Sequence, residues 1–133
     1  MIWESTALMA IVDLAILLVA ILALRNLYRH RRRFAHSGAL RGLALMAIGL
    51  SAIGLFHLAD LFTMFVLPQT SSPAAAMAAM ENLHLNYSWP IILASVLCLS
   101  GGISVTSARL LSLVGDLTQS RSALADELAR SEQ

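Results

Sequence analysis

The chain has 133 residues, of which 58% are hydrophobic and only 13% charged, about half the charged share of an ordinary soluble domain. With a mean hydropathy of +0.74, that excludes an intrinsically disordered chain and argues against a soluble globular domain. The net charge of +1 suggests no general attraction for nucleic acid, and the single cysteine, Cys98, excludes an intrachain disulfide.

Three apolar segments follow in chain order, at about 6–27, 43–67 and 89–105. Each comes close to the roughly 20 residues that a membrane span requires. The first is a poor signal peptide. No basic residue precedes it, it carries Glu4 and Asp13, and arginines follow it in place of a small-residue cleavage site. The expectation is three transmembrane helices in an all-α protein. All nine basic residues are arginine. Arg25, Arg29, Arg31, Arg32, Arg33 and Arg41 lie at or between the ends of the first two segments, and the 68–88 connection has none. The positive-inside rule therefore puts the arginine loop and the C-terminus in the cytoplasm and the N-terminus outside. In a bacterium this is the inner membrane. His30 and His36, among these arginines, are expected to be solvated or near lipid phosphates.

Ser72 followed by Pro73 is a helix N-cap with proline at the first helical position. Residues 74–85 favour helix. Pro90 removes a backbone donor and should kink the chain there. Either 73–85 is a surface helix and the span starts near Trp89, or one kinked helix runs from Pro73 onward. Gly101-Gly102 marks a helix–helix contact or a flexible point.

Beyond Arg109, Leu110, Val114, Leu117, Leu124 and Leu128 keep a 4-3 spacing, with Arg121 at the remaining core position. That is a heptad seam, continuous with the third span and suited to a parallel dimer. A single amphipathic helix on the membrane surface is the alternative. Asp116, Asp126, Glu127 and Glu132 weigh against it, because an anionic leaflet repels an acidic helix. The division expected is a sensor region over 1–108 and a cytoplasmic coiled-coil linker over 109–133.

The tail from Leu117 onward, ending Glu127-Leu128-Ala129-Arg130-Ser131-Glu132-Gln133, resembles the linker after the last membrane helix in bacterial sensor histidine kinases and diguanylate cyclases. In those families such a linker often leads into a PAS domain. The resemblance covers about the last 17 residues. It implies a two-component or related signalling protein with a kinase, PAS or GGDEF-type output domain in cis after Gln133. The 133 residues contain no GGDEF sequence, kinase H-box, ATP-binding motif or recognisable catalytic set. The region itself is expected to be no enzyme.

Ionisable residues inside spans are expensive, about 2.5–3.5 kcal/mol for a central aspartate. Asp13 lies on the first segment. His57 and Asp60 form a His-x-x-Asp pair on the second, and Glu81 and His84 a Glu-x-x-His pair beyond the turn. An even hairpin about the Thr70–Ser71 midpoint would put His57 level with His84 and Asp60 level with Glu81. Asp13, His57, Asp60, Glu81 and His84 would then suit Zn²⁺, Cu or Fe. Alternatively, His57 and His84 could ligate a haem b, with Gly49 and Gly54 leaving room for the macrocycle. Met77, Met80 and His84, with Met64 nearby, could hold Cu(I). The plainest reading is that the acids pair with the histidines across helices, worth about 0.6 kcal/mol per bond on average in membranes. The functional expectation is a sensory input module reading a metal or redox signal. A small b-type cytochrome and a structural membrane anchor are the alternatives.

Overall fold

A computed structural model describes residues 2–35 and 38–131, with only the backbone given for 2–6, Arg33 and Ala35. The expectations for the side chains of Glu4, Arg33, His36, Glu132 and Gln133 lie outside these residues. No strand occurs among the described residues. Helix α1 spans Ile2–Ala35, α2 Leu40–Phe65, the single turn α3 Leu67–Thr70, and α4 Pro73–Asn82. A π-helical turn, Leu83–Tyr87, joins α4 to α5, Ser88–Ser131. Three runs, Ala7–Arg32, Leu40–Phe65 and Pro73–Ser131, are long and apolar enough to cross a membrane.

The local chemistry explains the boundaries. Gly38, at φ 71°, turns the chain between α1 and α2 in a conformation that a side chain disfavours. Pro68 cannot donate to the helix before it, and α2 ends at Phe65. Ser72 caps α4 as its sequence suggests, its Oγ accepting from the Ala75 amide at 3.2 Å, with Pro73 first in the helix. Pro90 does not end the third run. The missing donor is accommodated by the wider turn just before it. Of the two readings of 73–85, the structure therefore shows the continuous one.

The packing is inside-out relative to a soluble protein. Leu18, Val19, Leu55, Leu93 and Leu97 are all more than half exposed, whereas Asp13, Asp60 and Ser95 are buried. Helix α2 lies in the middle, and α1 and α5 both pack on it. The α2–α5 approach is the closer one, because both faces carry glycine. A Cβ on Gly42 would stand 2.7 Å from the Gly102 carbonyl oxygen, and one on Gly49 2.8 Å from that of Ser95. The helix–helix contact expected at Gly102 is thus present. Small residues let backbones approach where dispersion, and not water exclusion, drives association. Thr106 lies beside Gly42, which brings Arg109 to the same end as Arg41. Beyond it, residues 107–131 stand clear of the bundle, every described side chain exposed. That free helix is roughly 35 Å long at 1.5 Å per residue.

Candidate functional site

The α2–α5 contacts set an antiparallel register that carries into the polar residues. Seven residues along α2, from Gly42 to Gly49, match seven back along α5, from Gly102 to Ser95. Eleven further on α2 is Asp60, and eleven further back on the third run is His84. The two meet, His84 Nε2 lying 3.4 Å from Asp60 Oδ2. The hairpin is therefore centred on Ser72, not on the Thr70–Ser71 midpoint, because the extra turn α3 lengthens the α2 side. This corrects the even register: Asp60 faces His84 and not Glu81. Glu81 is exposed and joins none of the other four.

The second pair bridges the other interface. His57 Nδ1 lies 2.8 Å from Asp13 Oδ1, with side chains 15% and 8% exposed. Asp13 and Asp60 are near enough to act on each other. The order is thus His57, Asp13, Asp60, His84, a row that starts on α2, crosses to α1, returns to α2 and ends on the third run. Asp13 Oδ2 and Asp60 Oδ1 are buried without a hydrogen-bond partner. Buried carboxylate oxygens in that condition are costly.

His84 is positioned by its own turn. Its Nδ1 lies 3.0 Å from the Met80 carbonyl oxygen. A carbonyl only accepts, so Nδ1 carries a proton and donates it. Nε2 can then attract Asp60 only while a further proton is held between them, on the imidazole or on the carboxyl. Without that proton, two lone pairs face each other. The His84 side chain is 36% exposed against 3% for Asp60, so the pair is reached from the His84 side.

Phe56, which the sequence reading passed over, sits at the centre. Its ring meets His57 edge-on at 5.4 Å between centroids and His84 at 6.1 Å. It is 6% exposed. Its place directly before the His-x-x-Asp pair was the available signal.

The structure favours the plain pairing of acids with histidines. Among the described residues, no three His, Cys, Asp or Glu side chains converge to hold a metal ion. Within one chain the glycines open no slot for a haem. The space at Gly49 is filled by Ser95, Leu99 and Cys98, and that at Gly54 is lined by Ala20 and Leu17. His84 turns Nε2 to Asp60. The methionine set is also divided. Met64, Met77 and Met80 line a cavity of about 190 Å³ with Pro68 and Pro73, and His84 is not part of its lining. His30 is half-buried, in a groove with Asn26, Phe34 and Thr106. No protein-family model matches the chain, and neither a curated protein nor a solved structure matches it.

Proposed function

We propose that the chain is a transmembrane sensory input module, in which the row His57–Asp13–Asp60–His84 responds to a proton and the third helical run carries the response to an output domain in cis. One observation carries this reading. A single unbroken run, Pro73–Ser131, bears His84 towards one end and the heptad face at the other. Along that face Val114, Leu117, Leu124 and Leu128 are 59–64% exposed. A second copy of the chain covers them as a parallel coiled coil, with Arg121 at a core position keeping the seam weak enough to shift.

The arginine end lies in the cytoplasm, since Arg25, Arg29, Arg31, Arg32, Arg41 and Arg109 gather there. The hairpin end with the polar row faces outward. While the shared proton is held, His84 and Asp60 tie the third run to α2. As pH rises and the proton is lost, the tie is released and α5 is free to move against α2. The groups facing the tie are Asp13 on α1 and His57 on α2, and both remain paired with each other.

The test is disulfide cross-linking of Leu117→Cys tails in a Cys98→Ser background, in membrane vesicles buffered on the acid and the alkaline side. The expected result is a dimer whose cross-linking rate changes with pH, and no change in Asp60→Asn or His84→Gln. No cross-linked dimer, or a pH response that survives both substitutions, overturns the reading. A stoichiometric metal found by elemental analysis, and lost in His84→Gln, would replace the proton with a cation.

A further inference from the structure

A groove of about 500 Å³ lies between α1 and α2 at the arginine end, away from the polar row. That volume falls within the roughly 300–1,000 Å³ of ligand-holding clefts. Two alanines make it. Ala44 and Ala47 on α2 leave room where larger side chains would close the gap, and Leu24 and Leu27 on α1 with Leu40 and Leu43 on α2 complete an apolar lining. The polar residues of its lining, Arg25, Tyr28 and Arg31, are spaced by three on α1 and so follow one face. The Arg31 guanidinium lies 4.1 Å from the centre of the Tyr28 ring, a cation–π contact that fixes the charge beside the groove's lining.

We infer that this groove binds an anionic glycerophospholipid, one acyl chain along the leucine–alanine lining and the phosphate against Arg25 and Arg31. The charge decides the occupant. A second copy docked symmetrically here would set its own arginines against these. A zwitterionic lipid would bring a cation along with its phosphate. An anionic headgroup alone complements both the apolar lining and the two arginines that belong to it, at the depth where basic residues meet lipid headgroups.

The experiment is native mass spectrometry of the full chain in detergent, with dioleoyl phosphatidylglycerol or dioleoyl phosphatidylcholine added. The expected result is a preference for the glycerol lipid of about tenfold or more, lost in Arg25→Ala/Arg31→Ala, whose retention of that lipid falls about 30-fold. Arg29→Ala changes the surface charge but not the groove, and the preference should survive it. Ala47→Phe fills the floor, and retention of both lipids should fall. Ala44→Leu does the same with a smaller side chain, should the first variant fold poorly. An equal loss in Arg29→Ala and in the double variant would overturn the site in favour of diffuse attraction. So would unchanged retention in both alanine variants, or displacement of the lipid by an equal concentration of inorganic phosphate.

Discussion

The two histidine–aspartate pairs use the same chemistry and differ in every condition that sets their strength. Asp13–His57 is short, at 2.8 Å, and sealed between α1 and α2. Asp60–His84 is long, at 3.4 Å, and one of its partners is more than a third exposed. The first closes an interface of ordinary side-chain contact. The second sits on the interface where backbones touch. The difference shows how a bundle can separate holding from switching. A short hydrogen bond fixes α1, while a longer charge contact that depends on one proton is placed where the helices are already kept close by glycine. Losing that contact need not unfold anything.

The largest expected effect separates the two faces of α2. Gly102→Ala places a Cβ 2.6 Å from the Gly42 carbonyl oxygen, backbone that cannot rotate away. A loss of about 2–3 kcal/mol is expected. Gly54→Ala, facing α1, meets Ala20 and Leu17 at 3.6 and 3.8 Å, which is ordinary contact. It should be neutral or stabilising by up to about 1 kcal/mol from helix propensity. Thermal unfolding in detergent measures both, and equal losses would erase the distinction between the interfaces.

The next effect compares the acids. Asp13→Ala removes the partner of an enclosed imidazole and should cost about 1–2 kcal/mol, near the upper end for membrane hydrogen bonds. Asp60→Asn should cost little or even stabilise, since Asp60 Oδ1 is buried without a partner and the substitution removes a desolvated acid. The same variant should silence the pH response of the tails. A stable protein that cannot signal is the expected outcome, and a large loss of melting temperature in Asp60→Asn would contradict it.

The smallest effect on stability sharpens the comparison most. Pro90→Ala restores the missing donor and lets the turn at Leu83–Tyr87 tighten towards an α-helix. The change in stability should stay under about 1 kcal/mol, the scale of one membrane hydrogen bond. Tightening rotates His84 relative to α5, so its link to Asp60 should weaken while that of His57 to Asp13 is untouched. The ring-proton NMR signals of the two histidines would report this, and a shift of both alike would count against independent pairs.

The sequence alone determined that three long apolar helices form. Apolar length located three helices, Ser72 and Pro73 marked the start of the third run, and the arginines clustered at one end. It also singled out Asp13, His57, Asp60 and His84, because charge inside an apolar run is costly wherever the run goes. Helical period says which residues share a face, but not how far one helix slides or turns against the next. That slide came from the extra turn α3 and from the glycine contacts Gly42–Gly102 and Gly49–Ser95, which join residues far apart in the chain. A three-residue shift was enough to give Asp60 to His84, leave Glu81 at the surface and bring Phe56 against both imidazoles. Pairing across an interface depends on distances of an ångström or less, and only the packing of backbone on backbone sets them.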